Sequence, residues 1–89
     1  MQILQTPSFS RGVKKLHLNQ KKALDKAIKA VSKNPEIGDP KVGDLEGVRV
    51  YKFTIKDLKW LLAYEVVSKK KIILLLLGPH ENFYRDLKR

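Results

Sequence analysis

The 89-residue chain carries 19 Lys and Arg against 9 Asp and Glu, a formal charge of +10, with 43% hydrophobic residues and no cysteine. That length and apolar content fit one domain, residues 1–89, with a single core rather than a disordered basic tail, and the lack of cysteine removes disulfide frameworks, thiolate zinc sites and iron–sulfur clusters. The charge attracts nucleic acid, anionic lipid or acidic protein, and does not choose among them.

Gln2-Ile3-Leu4-Gln5 reads as a short extended segment, and Thr6-Pro7 as a helix cap with proline at the first helical position. Phe9, Val13 and Leu16 then recur at helical spacing, with Arg11, Lys14 and Lys15 between them. After Leu18-Asn19 a second helix pattern places Ala23, Leu24, Ala27, Ile28 and Val31 on one face and Lys21, Lys22, Lys26 and Lys29 on the rest, until Asn34-Pro35 stops it. Each helix needs a surface for its apolar stripe, and a sheet supplies one.

Residues 35–47 contain Gly38, Pro40, Gly43 and Gly47 and read as a loop that brings Lys41, Asp44 and Glu46 to the sheet edge. Beyond it the apolar period becomes two. Val48 to Ile55, Trp60 to Ser68 and Lys71 to Leu77 are predicted strands of an antiparallel meander, separated by Lys56-Asp57-Leu58-Lys59 and by Ser68-Lys69-Lys70. The last strand is apolar on both faces, so an interior position is expected. Its run Ile72 to Leu77 is too short for a membrane span, and Met1 to Gln5 lacks the length and charge order of a signal peptide, so no membrane is expected and the cytoplasm is the expected location.

The chain closes on Gly78-Pro79-His80-Glu81-Asn82-Phe83-Tyr84-Arg85. Gly78 and Pro79 end the strand, so His80 falls at its terminus, and a helical turn would bring Tyr84 beside it. An imidazole and a phenol on a basic chain suggest work on a polyanion, RNA above all. Phe83, spaced with Leu87 as a core stripe, reads as structural.

This order of elements resembles the RelE/ParE superfamily of bacterial toxins from type II toxin–antitoxin pairs. The resemblance is carried by Leu45-Glu46-Gly47, Tyr51-Lys52, Trp60-Leu61-Leu62-Ala63-Tyr64 and Gly78-Pro79-His80-Glu81-Asn82-Phe83-Tyr84. A Gly-x-His followed by an aromatic six positions after the glycine is similar to the terminal segment of YafQ-type toxins, and its tyrosine to RelE-type ones. The fold implied is α+β: two N-terminal helices on a twisted, mainly antiparallel four-stranded sheet, with a short C-terminal helix.

The implied activity is ribosome-dependent cleavage of messenger RNA without metal or other cofactor, silenced by a cognate acidic antitoxin. A ribose 2′-hydroxyl attacks the adjacent phosphate, which requires a proton acceptor, cations near the phosphate and an acid for the leaving 5′-oxygen. His80 matches the YafQ acid, and histidine switches protonation near neutral pH. Tyr84 matches the terminal aromatic, and Lys52 a RelE lysine that stabilises charge or helps remove a proton. RelE basic positions are occupied here by Thr54 and Leu61, and a second YafQ histidine is absent from the first meander strand. His17, the other histidine, reads as structural or surface, and Lys52, Glu46 and Glu65 remain alternative bases.

Substrate-contact candidates are Arg49, Trp60, Arg85 and Lys88. Arg49 alternates with Val48 and Val50, which groups it with Tyr51 and Phe53 on a face expected to lie opposite the helices, either touching RNA or snorkelling at an edge. Trp60 reads as core or edge packing, with base stacking as the alternative. Two other functions stay open: a ParE-like gyrase poison of the same fold, and a basic nucleic-acid or partner-binding domain without activity.

Overall fold

The computed structural model describes residues 1–81, 83 and 84. Strand β1 (Gln2–Gln5) runs into Thr6, an extended N-cap whose hydroxyl oxygen accepts from the Phe9 amide at 3.1 Å, and Pro7 opens helix α1 (Pro7–Lys14). Helix α2 (Leu18–Lys33) follows at once, its start held by the His17 amide donating to Gln20 Oε1 at 2.8 Å. Strands β2 (Asp39–Pro40), β3 (Val48–Ile55), β4 (Leu58–Ser68) and β5 (Lys71–Pro79) complete a five-stranded sheet of order β1-β5-β4-β3-β2. Every contact in it is antiparallel except β1 with β5.

The sheet therefore has five strands rather than the expected four. The addition is β2, in which Asp39 pairs with Val50 and Pro40 with Arg49. Proline has no amide to donate, so it suits an edge. The expected four-residue separator between β3 and β4 is also shorter: only Lys56 and Asp57 turn, both with positive φ (47° and 69°), as a two-residue type I′ hairpin requires.

Helix α1 packs on β5 and α2 on β3. On this side Phe9, Leu24, Ala27 and Val31 meet Leu62, Tyr64, Ile72, Leu74 and Leu77, with Tyr51, Phe53 and Trp60 at the margin. Fully burying such a side chain contributes about 1.5–3 kcal/mol, so the two amphipathic stripes supply much of the cohesion. A second cluster, Val50, Leu61, Ala63 and Phe83 with Val48, Leu75, Leu76 and Tyr84 around it, lies on the opposite face. The interior position of β5 explains its double-sided apolar sequence.

One irregularity in β5 sets which of its residues face which cluster. Ala63 pairs with Leu76 and Tyr64 with Leu74, leaving Leu75 as an extra, bulged residue. The Leu75 carbonyl accepts from the Thr6 hydroxyl at 2.7 Å, and the Leu74 carbonyl from the Thr6 amide at 3.0 Å. The N-cap of α1 thus also satisfies the bulge.

Candidate active site

Alternation along β3 and β4 puts Val48, Val50, Lys52 and Thr54 on the helix-free face together with Lys59, Leu61, Ala63 and Glu65. Lys52 pairs with Leu61 and Leu61 with Gly78, while Thr54 pairs with Lys59, whose carbonyl accepts from the His80 amide at 3.0 Å. With strands about 4.8 Å apart, Thr54 and His80 lie on one face about two strand spacings apart, and Lys52 is on the same face two residues back along β3. Lys52, Thr54, Lys59 and His80 are all exposed.

Beyond His80 the chain folds back over this face. The Phe83 amide donates to the His80 carbonyl at 3.3 Å, and Phe83, only 2% exposed, packs with Val50, Leu61 and Ala63. Phe83 and Tyr84 have helical backbone, which brings the Tyr84 ring edge-on to His80, with centroids 6.2 Å apart. Tyr84 is also edge-on to Phe83 at 5.5 Å. Lys41 places Nζ 5.3 Å from the Tyr84 ring centre, a cation–π contact. His80 and Lys41 thus both meet the Tyr84 ring, and Lys52 and Lys59 lie on the same face of the sheet.

The structure sets Tyr84 beside His80 and Lys52 on the same face of the sheet, and it moves two other candidates away. Arg49 shares its strand face with Tyr51 and Phe53 as expected, but that face is covered by the helices. Its Nη1 donates to the carbonyls of Glu36 at 3.1 Å and Gly38 at 2.8 Å, which ties down the loop before β2. Trp60 is on the helix side as well, half-buried against the core and lining a cleft with Leu16, His17, Gln20 and Leu77, so base stacking at His80 is ruled out by its side of the sheet. Arg85, Lys88, Leu87 and Asn82 lie outside the described residues. Leu61, at a RelE basic position, is fully buried in the Phe83 cluster.

Two cations of this face are not among the residues that the sequence marks for the site. Lys59 reads as part of a separator, although alternation back from Leu61 puts it on the open face. Lys41 reads as brought to the sheet edge by a loop, and the structure places it there, directly after the edge strand Asp39–Pro40. The loop is further secured by Tyr64, whose hydroxyl donates to the Pro35 carbonyl at 2.6 Å and accepts from the Gly38 amide at 2.9 Å. Burial raises the Tyr64 pKa above its ordinary 10.0; the Gly38 hydrogen bond and Arg49 oppose this, and Asp39 adds to it.

The profile of ParE-like toxins of type II bacterial toxin–antitoxin systems matches residues 3–88. The chain belongs to this toxin family. Among solved structures, the toxin is similar to a chain of the intact E. coli RelBE toxin–antitoxin complex, with 20% identity, a TM-score of 0.70, and 90% of this chain and 96% of that one covered. It is also similar to the isolated E. coli RelE toxin, with 20% identity, a TM-score of 0.68, and 99% and 96% covered. These likenesses establish the toxin's α+β fold. No curated protein sequence matches the toxin. No helix among its described residues is long and apolar enough to cross a membrane.

Proposed function

We propose that the toxin is an endoribonuclease that cleaves messenger RNA on the ribosome, with His80 as its general acid. The observation that carries this reading is that His80 and Lys41 both meet the Tyr84 ring on the open sheet face that also carries Lys52 and Lys59. In the reaction the ribose 2′-oxygen gives up its proton to a base and bonds to phosphorus. The bond from phosphorus to the 5′-oxygen breaks, and that oxygen takes the proton of His80. The products carry a 2′,3′-cyclic phosphate and a 5′-hydroxyl. Lys52 and its neighbouring cations offset the charge that builds on the phosphate, and Tyr84 offers a ring for base stacking.

The test is single-turnover cleavage followed by primer extension on messenger RNA with ribosomes. His80→Ala is expected to fold normally, since His80 is exposed, and to lose about 10²–10⁴ in rate. A folded His80→Ala toxin that cuts at the wild-type rate removes His80 as the acid. Membership of a ParE-like family favours gyrase poisoning as a second reading. Inhibition of DNA supercoiling by the purified toxin, with messenger RNA left intact, would establish it.

The partner we propose is an acidic antitoxin whose segment folds along the open face and the hook, a reading supported by the +10 charge and by the fold shared with a chain of a toxin–antitoxin complex. Charge complementarity would speed the encounter, and apolar anchors would set the residence time. Hydrogen exchange should then change at residues 80–84 on binding. Identical exchange in the free and inhibited toxin would exclude the hook as the target.

A further inference from the structure

We propose that Lys41 is a substrate-phosphate residue of this site and that Tyr64 and Arg49 form a clasp on the opposite side of the sheet that positions it. The inference rests on the endoribonuclease reading for its substrate and deepens it. It starts from the open face itself: Leu61, the partner of Lys52 on β4, is fully buried, so charge on a phosphate there must be met by the cations around it. Lys41 is half-buried, and its Nζ already lies against the Tyr84 ring, which His80 also touches. An ammonium group held on an aromatic face has a defined place before substrate arrives, and a preorganised cation stabilises developing charge better than a mobile one.

What fixes Lys41 is visible on its N-terminal side. Tyr64 Oη bridges the Pro35 carbonyl and the Gly38 amide, and the Arg49 guanidinium bridges the Glu36 and Gly38 carbonyls. Four hydrogen bonds from two adjacent, paired side chains on β3 and β4 thus immobilise Pro35 to Gly38. Gly38 leads directly into Asp39 and Pro40, which pair with β3, and the Lys41 amide donates to the Val48 carbonyl at 2.9 Å. The chain passes from clasp to cation in three residues. Tyr64, buried on the helix side, is a protonated donor at neutral pH, since the ordinary phenol value of 10.0 already lies well above it and burial raises it further.

The experiment uses the full-length toxin with two readouts: single-turnover cleavage of messenger RNA on ribosomes, and salt-dependent binding to the same RNA carrying 2′-deoxy substitutions that prevent cleavage. Lys41→Ala should lower the cleavage rate by about 10²-fold and reduce the slope of log affinity against log salt by roughly one phosphate contact. Lys41→Arg, which keeps the charge, should restore most of both. Arg49→Gln should slow cleavage by a similar factor in the wild-type background and produce no further loss when Lys41 is already alanine, because Arg49 acts through Lys41. Thermal melts identify any variant that fails to fold, and Arg49→Lys then replaces Arg49→Gln in the same cycle.

Wild-type rate and slope in Lys41→Ala would overturn the phosphate role. Losses that multiply in the double variant would overturn the positioning role and mark Arg49 as structural or as a separate RNA contact. A wild-type toxin that leaves RNA intact overturns the endoribonuclease reading on its own, and the salt slope on the uncleavable RNA still judges Lys41.

Discussion

Replacing Phe83 by alanine should detach the segment that carries His80 and Tyr84 while leaving the sheet folded. Phe83 is 2% exposed, packs on Val50, Leu61 and Ala63 from above, and touches the Tyr84 ring edge-on at 5.5 Å. Full burial of such a ring contributes about 1.5–3 kcal/mol, and an aromatic edge contact adds about 0.5–1.5 kcal/mol. The truncation therefore removes roughly 2–4 kcal/mol of docking energy, which at about 1.4 kcal/mol per factor of ten shifts the docked population by between one and three powers of ten. The loss falls on the hook because the core between helices and sheet, built on Phe9, Leu24, Val31, Leu62 and Tyr64, does not contain Phe83. Hydrogen exchange by mass spectrometry should show the amides of His80 to Tyr84 opening faster, with those of α2 and β4 unchanged, and primer extension should show a fall in cleavage. Unchanged exchange in the hook, or wild-type cleavage with an opened hook, would refute the claim that Phe83 holds the site in place.

Further outcomes follow from other contacts. Gly38→Ala would set a Cβ 2.6 Å from the Tyr64 hydroxyl, which is buried and already bonded to Pro35; such overpacking costs about 1–3 kcal/mol, and a melting temperature equal to wild type would contradict it. Tyr64 has a folded pKa raised by burial, so its contribution is complete below the ordinary value of 10.0 and is lost as pH rises through the higher folded value. Chemical denaturation should accordingly show an alkaline decline beginning near there that is shallower in Tyr64→Phe, and parallel declines in the two proteins would exclude it. Asp57→Gly relieves a left-handed residue with φ of 69°. It should stabilise the hairpin by up to about 1 kcal/mol, seen as a rise in the denaturation midpoint and disproved by a fall.

The elements were legible because their periods are local properties: α2 follows from Ala23, Leu24, Ala27, Ile28 and Val31, and β3 from strict alternation. Strand parity also grouped Arg49 with Tyr51 and Phe53 correctly. What alternation cannot say is which of two faces the helices will cover, since both faces of the central strands are apolar, so Arg49 was expected on the wrong side. The turn at Lys56 and Asp57 was read as longer because neither residue is the glycine or asparagine that usually marks a two-residue hairpin. His80 and Tyr84 were legible through their spacing after Gly78, and the contact with Lys41 was not, because it joins positions 43 residues apart through a loop whose path is set by the side chains of Tyr64 and Arg49.

The extra residue in β5 means that the side of the sheet on which His80 lies is held by pairing with β4 rather than by the count of residues before it. Ile72 and Leu74 face the helices, and so does Leu77, which is possible only because Leu75 is inserted between them. Four adjacent leucines, Leu74 to Leu77, are nearly interchangeable in composition, so losing any one of them leaves an equally greasy strand. The shortened strand would lose the bulge and alternate regularly, with Leu77 still facing the helices and His80 still on the open face. A one-codon deletion in this run therefore removes the carbonyl that the Thr6 hydroxyl reaches without turning the strand over, whereas a further inserted residue would need a second bulge to keep His80 on its side.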